Sequence, residues 1–360
     1  MGNKVLMKGN EAVAEAAIRS GCRLYFAYPI TPQSELIEYM AKMMPKVNGT
    51  FLQAESEVAA INMVYGAAGM GKRVMTSSSS PGISLKAEGL SYLAGARLPA
   101  VIVNVQRGGP GLGDIQPAQG DYFQATKGGG HGDYRLIVLA PSSVQEFADM
   151  ASDAFDLTDK YRVPVMILSD GLLGQMMEPV EFKEYKTDAE IEELGKQHFD
   201  WCMHPNVDGP GRHHHEINSL EIDPVLLEKH VLNLEKIYKE IEAKEVKLEE
   251  YNINPDNEYV CVAFGTAARI VKSAIDDLNA EGHNIGLIRP ITVWPYPYKE
   301  IERAIHDKIN RVFVFELNLG QMLEDVKLAV NGKVPVEFMG KVGGIVFTPE
   351  EVKEKIKAYL

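Results

Sequence analysis

Residues 73–105 read RVMTSSSSPGISLKAEGLSYLAGARLPAVIVNV, and the pattern of this stretch indicates the fold class. Arg73–Thr76 and Ala100–Val105 are short apolar segments typical of strands, and Leu85–Ala94 between them is typical of a helix. A Ser-rich turn ending in Pro81-Gly82 is expected after the first strand. A strand, a helix and another strand in this order form the unit from which parallel sheets are built.

The same alternation extends through the first half of the chain. Ser142 and Gln145 form a capping-box pattern that predicts the start of a helix running to Tyr161. Strands this short and apolar, separated by helices, predict an α/β fold whose parallel sheet is covered by helices on both faces. The further predicted strands are Leu24–Ala27, Leu136–Leu139 and Val163–Leu168, and the further predicted helices are Glu11–Ser20, Ser34–Met44 and Glu57–Gly69.

The length of 360 residues predicts two domains. After about residue 178 the alternation gives way to a polar segment containing one long helix. It resumes at Tyr259 and closes with Thr348-Pro-Glu-Glu351, which has the pattern of a capped helix start. We therefore predict a first domain over 1–178, a connecting segment over 179–255 and a second α/β domain over 256–360. The strands predicted in the second domain are Val260–Ala263, Ile285–Ile288, Val312–Phe315 and Val334–Phe338.

Composition excludes several classes of protein. A formal charge of −13 argues against a nucleic-acid partner, because binding to phosphates requires an excess of Lys and Arg. Cys22, Cys202 and Cys261 are far apart in sequence, so neither a disulfide framework nor an iron–sulfur cluster held by this chain alone is expected. With no apolar run of membrane-spanning length and no signal peptide, we expect a cytoplasmic protein.

Three motifs resemble binding sites, but structural roles at a helix end, a turn and a polar loop explain them better than ligand binding does. Gly66–Lys72 has the spacing of a phosphate loop, but its glycines end a helix, whereas a phosphate loop begins one. Ser169-Asp-Gly171 has no paired Asn that would complete a magnesium-diphosphate motif, so a turn is predicted there. His213–His215, near His204 and Cys202, point in different directions, so a polar loop near the active site is expected and no metal site is predicted.

Three features remain at the ends of predicted strands or at the starts of the following helices, where open parallel sheets bind ligands. Glu57 opens a helix of small residues, and a carboxyl group against such an apolar wall should have a raised pKa and stay protonated near neutral pH. Thr31 lies in a loop, Tyr28–Pro32, that is stiffened by two prolines. Arg107 follows a strand and precedes a glycine-rich run.

Glu57 and Arg107 also have structural alternatives. Glu57 could instead cap its own helix, where a carboxylate also suits the helix dipole, and Glu55 competes with it for either role. Arg107 could form an ion pair with Asp114 on a solvated loop.

Four motifs follow one another along the chain: Tyr28-Pro-Ile-Thr-Pro-Gln33, Glu55-Ser-Glu57 leading into Gly66-Ala-Ala-Gly69, Ser80-Pro-Gly82, and Gln106-Arg-Gly-Gly-Pro-Gly111. In this order they resemble the alpha subunit of 2-oxoacid:ferredoxin oxidoreductases, and the resemblance covers nearly the whole chain. It is strongest over residues 5–175, and the second domain resembles the C-terminal domain of transketolase-like enzymes. The resemblance implies a first domain with a thiamine diphosphate-binding fold that binds the pyrimidine ring of the cofactor, and a second domain of the transketolase C-terminal type.

The resemblance also implies roles for individual residues. Glu57 matches the catalytic glutamate of the family, which hydrogen-bonds a ring nitrogen of the cofactor's aminopyrimidine and promotes formation of its nucleophilic form. Arg107 is expected to bind the substrate carboxylate, and Thr31 its carboxylate or keto oxygen. The other residues expected to contact the cofactor are Tyr28, Pro29, Ile30 and Ser80.

The expected activity requires companion subunits. The resemblance implies a beta subunit that binds the diphosphate and Mg²⁺, together with gamma and ferredoxin-like delta subunits that hold [4Fe-4S] clusters. The reaction would use a 2-oxoacid, coenzyme A and ferredoxin. The motifs around Tyr28 and Pro110–Gly113 favour a branched-chain substrate, 3-methyl-2-oxobutanoate, over pyruvate.

Three other assignments remain open. One is the alpha subunit of a 2-oxoglutarate:ferredoxin oxidoreductase, although Arg97 and Lys127 cannot be assigned to a second carboxylate. Another is the beta subunit of a lipoamide-linked 2-oxoacid dehydrogenase, in which the Arg107 motif as found here is not expected. The third is a non-catalytic assembly subunit whose glycine loops are structural.

Overall fold

The computed structural model describes residues 4–203 and 215–360. Strands and helices alternate through most of this range, as expected for an α/β fold. The strands are β1 (Val5–Lys8), β2 (Leu24–Ala27), β3 (Thr50–Gln53), β4 (Val74–Ser78), β5 (Val101–Gln106), β6 (Ile137–Leu139), β7 (Val165–Asp170), β8 (Met177–Val180), β9 (Leu248–Tyr251), β10 (Tyr259–Ala263), β11 (Ile285–Pro290), β12 (Thr292–Trp294), β13 (Arg311–Glu316) and β14 (Val336–Gly340).

The α-helices include one long element, α9, which confirms the long helix predicted in the polar segment. A 3-10 turn, Met44–Val47, follows the second helix. The helices are α1 (Gly9–Arg19), α2 (Ser34–Met43), α3 (Glu57–Gly69), α4 (Ser80–Gly95), α5 (Tyr122–Thr126), α6 (Val144–Tyr161), α7 (Gly171–Gln175), α8 (Asp188–Lys196), α9 (Pro224–Lys244), α10 (Gly265–Ala280), α11 (Tyr298–Ala304), α12 (Met322–Val330) and α13 (Pro349–Lys357).

The first sheet has seven strands in the order β12-β6-β7-β5-β4-β2-β3. Every neighbouring pair is parallel except β12 and β6. Strands β4, β5 and β7 are buried along their whole length, because helices such as α3, α4 and α6 cover the sheet. This sheet is the mostly parallel, helix-covered sheet that the sequence predicts.

The second sheet has five strands in the order β14-β13-β10-β11-β9 and is parallel except for β9. The chain crosses between the sheets, since β12 follows β11 but pairs with β6 at the edge of the first sheet. Strand β9 belongs to the second sheet although the connecting segment was predicted to extend to residue 255. The boundaries at 178 and 255 therefore stay predictions.

Two local predictions were wrong. Helix α4 begins at Ser80, so Pro81-Gly82 lies inside its first turn and does not end a loop; Pro is tolerated there because its missing N–H has no helical partner. The cap of α6 is Ser143, whose hydroxyl accepts from Glu146 N at 3.1 Å, and not the Ser142–Gln145 pair. The capping box at Thr348 is confirmed.

No helix within residues 4–203 and 215–360 is long and apolar enough to cross a bilayer.

Candidate active site

Four neighbouring strands of the first sheet deliver the predicted site residues to one edge. Strands β5, β4, β2 and β3 are adjacent and parallel, so their carboxyl ends lie side by side. Arg107 follows β5, Ser80 follows β4, Thr31 follows β2, and Glu57 follows β3. Ligands of open parallel sheets bind at this edge.

Glu57 is the first residue of α3 and is 5% exposed. The Ser56 hydroxyl caps the helix by accepting from Ala59 N at 3.1 Å, so the carboxylate of Glu57 is not needed as the cap. Helix α4 packs closely against the Glu57 carboxyl group, since a Cβ built on Gly82 would lie 2.7 Å from Glu57 Oε1. Glu55, the competing residue, is exposed. Within the described part of the chain, no donor is hydrogen-bonded to the Glu57 carboxylate.

Arg107 is 7% exposed and joins two of the loops. Its guanidinium donates from Nη1 to Thr31 O at 3.0 Å and from Nη2 to Leu112 O at 2.9 Å. Asp114 accepts from Gln116 N at 2.8 Å, and in residues 4–203 and 215–360 no ion pair links it to Arg107. The alternative of an Arg107–Asp114 pair on a solvated loop is therefore wrong.

The glycine-rich run after Arg107 folds back on itself. Gly113 has φ +60°, and a Cβ there would lie 1.8 Å from Gly108 O, so only glycine fits this close approach. The returning chain brings Gln116 O within 2.9 Å of Gly108 N. The loop thereby holds Leu112 O where the Arg107 guanidinium reaches it.

Asp121 lies among the candidate site residues, and the sequence did not identify it. It accepts from Ser80 Oγ at 2.6 Å and from Asn104 Nδ2 at 2.9 Å, and the Ser80 hydroxyl also accepts from Arg107 N at 3.0 Å. Burial raises the pKa of Asp121, and the bonds from Ser80 and Asn104 oppose this shift. Asp121 belongs to none of the four motifs, and its burial depends on the fold of the loop before it.

Several buried polar atoms around this edge have no hydrogen-bond partner. Unpartnered buried polar groups are costly, and in native proteins they usually mark a place for water, an ion or a ligand. They lie at the ends of β4 and β5, in the loop after β5, and at the start of α2. The atoms are Gln33 Nε2, Ser78 Oγ, Ser79 Oγ, Asn104 Oδ1 and Arg107 Nε.

The loop after β2 is open on its outer side. Tyr28, Pro29 and Thr31 are exposed, and Ile30 is half-buried. Exposed apolar side chains also lie on the other elements that carry the site, and such a grouping is typical of an interaction surface. These side chains are Leu52, Val58, Leu85, Leu112 and Ile115.

Two family models match successive parts of the chain. The model described as pyruvate flavodoxin/ferredoxin oxidoreductase, thiamine diphosphate-binding, covers residues 15–241. The model described as pyruvate:ferredoxin oxidoreductase core domain II covers residues 257–352. The chain belongs to the 2-oxoacid:ferredoxin oxidoreductase family.

Known members of this family match over the full length. Ketoisovalerate oxidoreductase subunit VorB of Methanothermobacter thermautotrophicus is 48% identical, over 98% of this chain and 97% of the relative. 2-Oxoglutarate synthase subunit KorA of Methanocaldococcus jannaschii is 35% identical, over 97% of this chain and 98% of the relative.

A solved structure of the family has the same fold. The 2-oxoglutarate:ferredoxin oxidoreductase of Magnetococcus marinus, with 2-oxoglutarate, coenzyme A and succinyl-CoA bound, is similar with a TM-score of 0.82 and 27% identity. The match covers 99% of this chain and 65% of that one.

The motifs set aside in this oxidoreductase chain have structural roles where they are described. Gly66 to Lys72 ends helix α3, and Gly71 has φ +69° in the turn that follows. Asp170 ends β7 and caps α7 by accepting from Leu172 N and Leu173 N. His204, His213 and His214 lie outside the described residues, and within the described ones no cluster of metal-ligating side chains occurs.

Proposed function

We propose that the chain is the alpha subunit of a 2-oxoacid:ferredoxin oxidoreductase that oxidises 3-methyl-2-oxobutanoate to its acyl-CoA, with thiamine diphosphate as cofactor and ferredoxin as electron acceptor. The proposal depends on one observation. Four residues lie together at the carboxyl ends of four adjacent strands: Glu57, Ser80, Thr31 and Arg107. Unpartnered polar atoms lie among them, as a ligand site requires. The 48% identity to a ketoisovalerate oxidoreductase subunit supports the choice of substrate.

The residues at this edge fit the pyrimidine end of the cofactor. Glu57 offers a buried carboxyl group to which no donor of the described chain is bonded, and Gly82 lets α4 approach this group closely, since a Cβ there would lie 2.7 Å from Glu57 Oε1. The loop Tyr28-Pro29-Ile30 and the first turn of α4 at Ser80 flank the same edge. In the proposed arrangement, protonated Glu57 donates a hydrogen bond to a pyrimidine ring nitrogen, while these segments hold the ring in place.

Arg107 and Thr31 are proposed to bind the substrate. Thiamine diphosphate, when bound, supplies a carbon nucleophile for the keto group and accepts the electrons released by decarboxylation. The Nε of Arg107 is buried without a hydrogen-bond partner, and the guanidinium can place a charge-assisted hydrogen bond on the 2-oxoacid carboxylate. Its bond to Thr31 O fixes the loop that carries Thr31, and in the proposed arrangement the Thr31 hydroxyl would hydrogen-bond the same carboxylate or the keto oxygen.

The site is proposed to be completed by other subunits. A beta subunit would bind the diphosphate and Mg²⁺, and gamma and ferredoxin-like delta subunits would hold the [4Fe-4S] clusters and complete the path to ferredoxin. Exposed Tyr28, Val58, Leu85 and Leu112 on the site elements support a protein partner there. The three cysteines are buried and far apart in sequence, which suits a reducing cytoplasm and gives this chain no cluster-binding motif.

A 2-oxoglutarate substrate is less well supported. It would need a second cation for its distal carboxylate, and Lys127 is already paired with Asp325 of the second domain. Arg97 lies beside Arg162 at the other end of α4, beyond its carboxyl terminus. The 35% identity to a 2-oxoglutarate synthase subunit is also lower than that to the ketoisovalerate enzyme.

The test is substrate competition in the assembled complex. The chain is co-expressed with its partner subunits without oxygen, and viologen reduction is followed with coenzyme A and each of three 2-oxoacids. We expect 3-methyl-2-oxobutanoate to give a kcat/KM at least ~10-fold above those of pyruvate and 2-oxoglutarate, the discrimination that one or two methylenes in an apolar pocket provide. A preference for 2-oxoglutarate would refute the substrate, and no reduction with any 2-oxoacid would refute the activity.

A further inference from the structure

Helices α3 and α4 pack closely through two glycines. A Cβ on Gly82 would lie 2.7 Å from Glu57 Oε1, and a Cβ on Gly89 would lie 2.5 Å from Ile61 Cγ2. Lys86 is between these glycines in α4, one turn from each, and therefore lies on the same face of the helix. The side of α4 that meets the Glu57 carboxylate thus also carries a lysine.

Lys86 is completely buried and has only neutral partners. Its ammonium donates to Thr76 Oγ1 at 2.8 Å and to Ser77 O at 3.0 Å. Within residues 4–203 and 215–360 no carboxylate forms an ion pair with it. Burial lowers the pKa of Lys86 to about 7, and the field of Glu57 acts in the opposite direction. Lys86 therefore changes between a charged and a neutral form near neutral pH.

The other titratable groups around Lys86 are held by partners of their own. Tyr25 on β2 shares a hydrogen bond with Ser77 Oγ at 2.5 Å, and burial raises its pKa. Asp121 before α5 is held by Ser80 and Asn104. Glu88 on α4 is exposed and bonded to Tyr92. Glu57 is thus the acid on the facing helix that the charge of Lys86 acts on most directly.

We propose that Lys86 is a positioning residue whose charge sets the pH up to which Glu57 keeps its proton. A cation beside a carboxyl group favours the carboxylate, so charged Lys86 opposes the protonated form of Glu57 and neutral Lys86 permits it. The proposal rests on the proposed function, in which protonated Glu57 is the useful form. Lys86 itself touches neither cofactor nor substrate in this arrangement.

The test measures the proton on Glu57 directly. Infrared difference spectra of the assembled complex without cofactor are recorded across pH, and the band of the protonated Glu57 carboxyl is identified by its loss in Glu57→Gln. We expect Lys86→Met to raise the pH midpoint of this band by roughly 1 unit or more, and Lys86→Arg to lower it, because these variants remove the charge or make it permanent. Lys86→Gln should act as Met does if the Met variant does not assemble.

Glu88→Gln, on the outer face of the same helix, is the matched control and should leave the midpoint unchanged. With cofactor and substrate added, the alkaline limb of the turnover profile should move in the same direction as the band. An identical midpoint in the wild type and in the neutral Lys86 variants overturns the proposal. The infrared band does not depend on catalysis, so an active Glu57→Gln enzyme would instead refute the role of Glu57.

Discussion

Glu57 and Glu316 are both buried carboxyl groups near the carboxyl ends of parallel strands, one in each sheet, and their surroundings differ. Glu316 accepts from Met322 N at 2.8 Å, Leu323 N at 2.9 Å and Asn318 Nδ2 at 2.9 Å. Glu57 has no such donors in the described chain, and unpartnered polar atoms lie along its edge of the sheet. At the same position in the fold, the carboxyl group of the second sheet is hydrogen-bonded within its own chain, whereas that of the first sheet has no such donors among the described residues.

The loop after the glycine-rich run of the first domain closes the edge of the second sheet. Gln119 donates from its backbone N to Leu317 O and from Nε2 to Phe264 O, and its side-chain oxygen accepts from Leu317 N. Asn318 Nδ2 donates to Gln119 O at 2.8 Å. In the described chain these groups of the second sheet edge are hydrogen-bonded to one another, whereas unpartnered polar atoms lie at the edge of the first sheet. We therefore expect the ligand site at the first sheet.

The largest expected effect comes from Glu57→Gln. Removing a general acid or base costs about 10²- to 10⁴-fold in rate, or ~3–5 kcal/mol, so we expect turnover to fall at least a hundredfold. Gln keeps the shape of the side chain, and the thermal midpoint and assembly should not change. The exposed Glu55→Gln is the matched control and should keep full activity. A fully active Glu57→Gln enzyme would remove the catalytic assignment.

Arg107→Ala should have a smaller effect, mainly on substrate binding. A charge-assisted hydrogen bond contributes about 1.5–3 kcal/mol, so the KM for 3-methyl-2-oxobutanoate should rise roughly 10- to 150-fold. Steady-state kinetics measure this, and the KM for coenzyme A serves as the internal control. Arg107→Lys keeps the charge but loses the forked donor that reaches Thr31 and Leu112. Its KM for 3-methyl-2-oxobutanoate should therefore lie between those of the wild type and Arg107→Ala. An unchanged KM in Arg107→Ala would contradict the role.

Local patterns predicted those elements that depend only on neighbouring residues. Leu24–Ala27 and Glu57–Gly69 have the predicted bounds, and the box at Thr348 forms as its sequence indicates. The four motifs are brought to one edge because the order of adjacent strands places them there. Alternation of strands and helices was therefore sufficient to predict the fold class and the edge of the sheet at which the proposed site residues lie.

The sequence did not reveal features that arise from distant contacts. Strand β12 joins the first sheet from within the second domain, and no local pattern encodes that exchange. Lys86 is a residue type common on the exposed faces of helices, so the sequence does not indicate that it is buried. It is buried because helix α3 packs closely against α4. Asp121 is likewise placed by the loop that folds back before it. Burial of a charged side chain is set by tertiary packing, which single-residue properties do not determine.

The smallest effect on activity, and a measurable one on stability, is expected for Glu316→Gln. Burial raises the pKa of Glu316 to about 7 from an unfolded value near 4.5, against the hydrogen bonds it accepts. Between these values the native state binds more protons than the unfolded state, so this group lowers stability as pH rises through the window and adds no further change above it. Wild type should therefore lose stability relative to Glu316→Gln between about pH 4.5 and 7, by at most ~3 kcal/mol.

Thermal unfolding of both proteins across that pH range measures the difference, in which the titration of all other groups cancels. Turnover of the assembled complex should be unchanged, because Asn318 Nδ2, Met322 N and Leu323 N hold the Glu316 carboxyl group at the edge of the second sheet, away from the proposed site residues of the first. A pH-independent difference in thermal midpoint would show that Glu316 has an ordinary pKa. Loss of turnover in a folded Glu316→Gln complex would show that the closed edge also takes part in the reaction, and the contrast between the two sheets would then be wrong.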